Sequence, residues 1–255
     1  MKRFKTLVIG NWKMNPESSK EAEKLFKDIA KSVSKVRKTE IIICPPFIYL
    51  ERLKKFSRKI SLGAQDVFWG TVGAFTGEVS SEMLYNSGIK YVIIGHSERR
   101  ALGENNSDVN KKLKSALNAS ITPILCVGES TRDENHEYFN FLKSQIQECL
   151  KSITKSSISK IIIAYEPIWS ISSTPNRRDA TPENSREMVI FIRKTLSDIS
   201  SLEVANNTRV IYGGSVTDKD AKDFLQNGGV DGVLPGRASL NAKKFAKIVN
   251  IAERL

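Results

Sequence analysis

Cysteine is scarce: Cys44, Cys126 and Cys149 are odd in number and widely spaced, with no Cys-x-x-Cys pair. That pattern fits neither a disulfide framework nor a zinc site and implies a reducing compartment. Histidine is scarcer, at two residues, so a histidine-rich metal site is excluded as well. No Gly-x-Gly-x-x-Gly fingerprint and no Walker loop is present, which removes the usual dinucleotide and nucleotide cradles. Apolar runs are short, none approaching a membrane span. Met1 to Lys5 carries the charge of a signal peptide, but only Thr6 to Gly10 follow before polar Asn11. These absences predict a cytoplasmic protein with no cofactor or metal and no membrane partner.

Acidic residues are outnumbered, 28 Asp and Glu against 40 Lys and Arg, for a formal charge of +12. Such an excess attracts phosphorylated small molecules or nucleic acid. The basic residues of the first helical stretch, Lys20, Lys24, Lys27, Lys31 and Lys35, are mixed with acids and lack interleaved aromatics. That is the pattern of a solvated face and speaks against a nucleic-acid partner.

A chain of 255 residues suits one eight-stranded α/β barrel, and no linker or low-complexity tract divides it, so a single domain over residues 1–255 is expected. Apolar strand patterns recur at Thr6 to Gly10, Glu40 to Cys44, Ile60 to Ala64, Lys90 to Ile94, Pro123 to Val127, Ile161 to Ala164, Arg209 to Tyr212 and Gly232 to Leu234. Amphipathic helical patterns fall between them, at Glu17 to Val33, Phe47 to Phe56, Asn106 to Ala119, Glu137 to Ile153 and Pro182 to Ile199. Regular alternation of this kind predicts a parallel (β/α)8 barrel rather than an open doubly wound sheet.

The polar residues of interest sit just after strands, and a barrel brings those loops to one rim. Glu166 is the foremost, because Pro167 stops the strand and leaves a carboxylate at its carboxyl end. Asn11 and Lys13 follow the first strand, His96 the fourth, and Gly213-Gly-Ser215 and Gly236-Arg237 the last two. Together they supply a base, a donor, an ammonium and glycine-rich anion sites. His96 falls at a helix start, which favours a neutral imidazole. Each has a plainer reading alone: a salt-bridged strand-end Glu166, a Lys13 paired with Glu98, an ordinary hydrogen-bonded His96, a simple glycine turn. His136, in a charged stretch, reads as exposed.

The blocks Asn11 to Asn15, Gly73 to Glu78, Gly95 to Arg100, Ala164 to Trp169 and Tyr212 to Ser215 occur in this order, and the set resembles the triosephosphate isomerase family from Leu7 to Leu240. The resemblance implies a TIM barrel and a cofactor-free isomerase of glycolysis and gluconeogenesis, interconverting dihydroxyacetone phosphate and D-glyceraldehyde 3-phosphate through an enediolate. It assigns Glu166 as the base on carbon, His96 as the neutral electrophile, Lys13 as the cation near enediolate and phosphate, and Asn11 as an orienting group. It implies phosphate binding through N–H groups around Ser172, Ser215, Gly236 and Arg237, with Glu98, Cys126 and Tyr212 in support. A non-catalytic metabolite-binding barrel would be favoured only had Glu166 or His96 been lost.

The resemblance also implies a homodimer, in which the long stretch from Gln65 to Glu78 inserts into a partner subunit and Thr76 approaches the partner's catalytic residues. Phe68, Trp69, Val72 and Phe75 in that stretch need covering. Two places depart from the family pattern. The final glycine pair is Gly236-Arg237 here, unfavourable only if Arg237 must take a positive φ. The lid, Pro167 to Ala180, runs Ser170-Ile-Ser-Ser-Thr-Pro-Asn-Arg-Arg-Asp-Ala180, about three residues longer than the family's Ala-Ile-Gly-Thr-Gly-Lys-Thr-Ala. Its hinges persist and its tip glycines do not. The sequence predicts Ile171 over the substrate, extra residues at Pro175 to Arg178 bulging toward solvent, and solvated Arg177 and Arg178.

Overall fold

The structure, a computed structural model, describes residues 4–56, 58–171, 174 and 177–255. Eight strands, β1 (Thr6–Asn11), β2 (Thr39–Cys44), β3 (Ser61–Ala64), β4 (Tyr91–Ile94), β5 (Thr122–Val127), β6 (Ile162–Tyr165), β7 (Arg209–Tyr212) and β8 (Gly232–Val233), close into one barrel in sequence order. Every pairing is parallel. Around it run α1 (Ser19–Ser32), α2 (Phe47–Lys54), α3 (Ser81–Asn86), α4 (Ser97–Ala101), α5 (Asn106–Asn118), α6 (Glu137–Cys149), α7 (Lys155–Ile158), α8 (Pro182–Ile199), α9 (Leu202–Asn207), α10 (Ala221–Asn227) and α11 (Ala242–Arg254). Among the described residues no helix is long and apolar enough to cross a membrane.

Strand sequences such as Leu7-Val8-Ile9 lack polar alternation because both faces are covered. Successive side chains point to opposite faces, so Leu7, Ile9, Ile42, Cys44, Ile93, Ile124, Cys126, Ile162, Ala164 and Ile211 fill the barrel. Their neighbours Val8, Ile41, Ile43, Val92, Ile94, Leu125, Ile163 and Val210 pack outward under the helices. Each buried aliphatic side chain contributes about 1.5–3 kcal/mol, against about 0–1 kcal/mol for an exposed ion pair. The two apolar layers therefore dominate the fold.

The same two-residue period aims the site. From Leu7 and Ile9 inside the barrel, the next inward position is Asn11; from Ile162 and Ala164 it is Glu166; from Ile211 it is Gly213. Gly95 at φ +73° breaks the alternation after β4 and turns the chain so that His96 caps α4. Only a residue without Cβ adopts that conformation freely.

Helix boundaries follow local chemistry. Ser18 caps α1 by accepting from the Glu21 N–H, and Thr181 forms a reciprocal capping box with Asn184 ahead of Pro182 in α8. The helix expected from Glu137 to Ile153 is shorter: it ends at Cys149, and Ser152 turns the chain at φ +59°. Strand β8 stops at Val233, one residue earlier than its apolar run predicts, although the Leu234 N–H still bonds Tyr212 O at 2.8 Å.

The loop between β3 and α3 has a rigid root and a bare tip. At the root, buried Asp66 accepts from Lys112 Nζ at 2.7 Å and pairs with Arg99 Nε at 2.7 Å, while Glu104 also meets Lys112. Burial raises the Asp66 carboxyl above its ordinary range despite the lowering influence of Lys112 and Arg99. Toward the tip, Phe68 packs on Trp69 and Phe75 with ring centroids 4.3 and 4.5 Å apart. Residues 71–78 are all exposed, including Thr76.

Candidate active site

At the carboxyl ends of the strands lies a cavity of about 370 Å³ lined by Asn11, Lys13, His96, Ile171, Gly213 to Ser215, Gly236 and Arg237. The structure thus gathers four residues of the expected set at one rim: Asn11, Lys13, His96 and, just behind them, Glu166.

Asn11 is buried, and its Oδ1 accepts from the Lys13 N–H at 2.9 Å. Lys13 takes φ +51°, unfavourable for a residue with Cβ by roughly 1–2 kcal/mol, and two neighbours hold it there. One is the Asn11 bond; the other is the Gln65 amide, which donates to Lys13 O and to Cys44 O, each at 2.9 Å. Lys13 Nζ donates to Glu98 Oε1 at 2.6 Å, the pairing its plainer reading anticipates, while the same side chain lines the cavity. Both partners are partly exposed, at 25% and 44%, so solvent weakens the pair and leaves the ammonium able to serve an anion.

His96 is buried, with Nδ1 accepting from the Glu98 N–H at 3.2 Å. An accepting Nδ1 leaves the proton of the neutral ring on Nε2. That nitrogen lies 3.3 Å from Glu166 Oε1. The other carboxylate oxygen, Oε2, accepts from the Ser97 N–H at 3.1 Å. Glu166 is 2% exposed and faces a crevice with Ser97, Cys126 and Gly128 rather than the main cavity, so to reach a ligand there its side chain must swing away from Ser97. Gly213 leaves the room, since a Cβ there would stand 2.9 Å from Glu166 Cγ. The buried Cys126 thiol is pushed well above its ordinary value by burial and then by the neighbouring Glu166 carboxylate.

Tyr212 is buried, stacked on Phe224 at 4.1 Å, and burial pushes its phenol upward. Its hydroxyl lies under Gly214, where a Cβ would come within 2.3 Å. Gly236 has φ −86° and Arg237 opens a 3₁₀ turn, Arg237–Leu240, with no positive φ. Arginine in place of glycine is therefore unstrained there. Buried Ser239 ties this turn to β1, donating to Gly236 O at 2.6 Å and approaching Asn11 O at 3.2 Å.

Sequence reasoning missed Glu129, the anchor of the lid. Its buried Oε1 accepts from the Tyr165 hydroxyl at 2.8 Å and the Trp169 indole at 2.8 Å, and pairs with Arg132 Nε at 3.2 Å. Its backbone carbonyl takes the Ile168 N–H at 2.9 Å. The only sequence signal is an acid after a strand-end glycine, Gly128-Glu129, which reads as an ordinary loop. At the far end of the lid, Ser170 Oγ accepts from the Ala180 N–H at 3.1 Å. Ile171 is buried over the cavity, as expected. Ser172, Pro175 and Asn176 lie outside the described residues. Arg177 is exposed, as expected, and its Nη1 also donates to Ser215 Oγ at 3.0 Å across the cavity mouth. Arg178 lies over the Trp169 ring at 5.9 Å, and His136 is exposed.

Fold and rim together define a parallel (β/α)8 barrel whose strand-end cavity sets a carboxylate beside a neutral imidazole and an ammonium. A profile of the triosephosphate isomerase family matches residues 6–252. The chain is 43% identical to the triosephosphate isomerase of Thermoanaerobacter sp. (strain X514) over 248 residues, 96% of this chain and 98% of the relative. It is 41% identical to that of Endomicrobium trichonymphae over 253 residues, 98% of this chain and 99% of the relative. The chain belongs to the triosephosphate isomerase family.

Proposed function

We propose that Glu166, His96, Lys13 and Asn11 carry out the interconversion of dihydroxyacetone phosphate and D-glyceraldehyde 3-phosphate that membership of the family brings with it. The observation that carries the assignment is the 3.3 Å approach of Glu166 Oε1 to a His96 Nε2 that bears the proton of a neutral ring. Glu166 takes a proton from the carbon beside the carbonyl; the electron pair moves into the new C=C bond and onto the carbonyl oxygen, which His96 Nε2–H and Asn11 face. A carboxylate base beside a neutral imidazole electrophile is the pairing established for this family. Lys13 offsets the negative charge of the enediolate and phosphate. His96 gives its Nε2 proton to the carbonyl oxygen and takes up the proton of the neighbouring hydroxyl, whose oxygen becomes the new carbonyl. Glu166 returns its proton to the adjacent carbon, which completes the exchange of ketose for aldose.

Phosphate binding falls to the N–H groups of Ser215, Gly236 and Arg237, with Ser172 of the lid as a further donor. Glu98, Cys126 and Tyr212 support the site, Glu98 by linking Lys13 to the His96 loop. The test is a coupled assay of both directions with purified protein, Glu166→Gln prepared in parallel. Loss of about two to four orders of magnitude in kcat with folding intact is the expected result. Wild-type turnover no higher than the variant's would refute the assignment.

We further infer a cytoplasmic homodimer of single-domain chains spanning residues 1–255. Supporting it, Val72 is 86% exposed and Phe75 50% at the tip of the loop between β3 and α3, and Met14, after β1, is 93% exposed. The Gln65 to Glu78 loop would lay Thr76 against the Lys13 and Asn11 end of a second copy. A fully active monomer at micromolar concentration in analytical ultracentrifugation would overturn the dimer.

A further inference from the structure

The lid tip of the family pattern is built of glycine, threonine and one lysine, whereas this chain places arginine at 177. Its side chain, 38% exposed, folds back over the cavity mouth. Arg177 lines the cavity, its Nη1 donating to Ser215 Oγ at 3.0 Å, while Nη2 pairs at 3.2 Å with Asp179. The Asp179 side chain is 83% exposed, so that pair is screened and readily exchanged. Lining the cavity with Arg177 are the cations Lys13, Arg237 and Lys244 and one carboxylate, Asp218, which is engaged by Lys247 at 3.0 Å. The cavity is thus strongly cationic, and its Ser215 edge is where the phosphate of the proposed substrate would sit.

We propose that Arg177 is a lid-borne ligand for the substrate phosphate, exchanging its bonds to Ser215 and Asp179 for charge-assisted bonds to phosphate oxygens. This inference rests on the isomerase reading. A planar guanidinium offers paired N–H donors matched to phosphate, a two-point grip that neither a glycine nor a lysine at the lid tip supplies. The contact is made equally to substrate and to enediolate, whose phosphate is unchanged. It therefore strengthens binding without lowering the barrier from bound substrate.

The experiment compares wild type, Arg177→Ala, Arg177→Lys and Arg178→Ala in three measurements: kcat and KM with dihydroxyacetone phosphate, turnover of phosphate-free D-glyceraldehyde, and the Kd of inorganic phosphate by calorimetry. For Arg177→Ala, KM and phosphate Kd should each rise about tenfold, with kcat changing less than about twofold and the phosphate-free reaction unaltered. Arg177→Lys should recover part of the loss, and Arg178→Ala, which removes the same charge from the same loop, should shift KM less than twofold. Unchanged KM and Kd in Arg177→Ala would overturn the proposal. An equal fall with both substrates would do so too, since it would mark a residue that only shapes the lid. Calorimetry reads the contact without turnover, so an inactive wild type that binds phosphate through Arg177 would refute the isomerase assignment alone.

Discussion

Replacing Glu129 by Gln keeps its shape and removes its charge, which isolates what the carboxylate does for the lid stem. In the structure one oxygen, Oε1, serves the Tyr165 hydroxyl, the Trp169 indole and Arg132. Hydrogen bonds to a charged acceptor contribute about 1.5–3 kcal/mol each and neutral ones about 1 kcal/mol, so the two short bonds together lose about 2 kcal/mol. Arg132 retains Glu187 at 2.8 Å and adds little to the loss. For a chain of this size that corresponds to a fall in Tm of about 4–8 °C. Glu129→Ala should fall further, by about 3–5 kcal/mol, because it strands the buried Tyr165 hydroxyl and the partly buried Trp169 indole. Trp169 follows the 3₁₀ hinge start at Ile168, so kcat should drop alongside Tm as the lid loses its fixed pivot. Thermal melts followed by circular dichroism, with steady-state kinetics on the same samples, measure both. A Glu129→Gln protein melting within 1 °C of wild type with unaltered kcat would refute the reasoning.

Gly128→Ala should be more severe, because its Cβ would stand 1.8 Å from the Glu166 carbonyl oxygen and force β5 and β6 apart. We expect about 3 kcal/mol or more of destabilisation and about a hundredfold loss of kcat from the displaced base, read by melting and kinetics; wild-type values would contradict it. A third prediction concerns acid. Burial alone would raise the Glu253 carboxyl, but the N–H groups of Lys38, Arg37 and Thr39 and the Thr39 hydroxyl outweigh it and hold it below its ordinary value. A lowered folded value means stability present above the unfolded value of about 4.3 and lost as pH falls through the folded one. The melting gap between wild type and Glu253→Gln should thus be full at pH 7 and narrow below about pH 4. A gap equally wide at pH 3 would contradict the assignment.

Elements governed by their own residues were legible before the structure. Helix α8 is readable to its ends because Thr181 and Pro182 announce the start chemically. Residues 209–212 form the strand that their apolar pattern predicts. Asn11, Lys13, His96 and Glu166 could be singled out as candidates because each follows a strand and belongs to a block that resembles the family's. What stayed hidden depends on distant partners. Glu129 looks like any loop acid until Tyr165 and Trp169 fold onto it, and the left-handed turn at Lys13 is intelligible only once Gln65 is in place. The exposure of Arg177 was legible, but its bond to Ser215, 38 positions away, was not. The short helices α4, α7 and α9 are too brief to show a period.

The ring closes on its shortest member. β8 meets β7 through the single register pair Tyr212 and Val233, and β1 through Leu7 with Gly232 and Val8 with Val233, whereas β5 and β6 share four pairs. Even that contact requires glycine, since a Cβ on Gly232 would lie 2.2 Å from the Leu7 carbonyl oxygen. Opening of the barrel is therefore expected at this seam ahead of the β5–β6 pairing, so the amide hydrogens of Leu7 and Leu234 should trade with deuterium sooner than those of β5. Asn11 and Lys13 hang from one side of the seam and Gly236 and Arg237 from the other. A ligand that grips both sides acts as a clasp on the whole cylinder, and occupancy of the cavity should register as slowed exchange at β1 and β8.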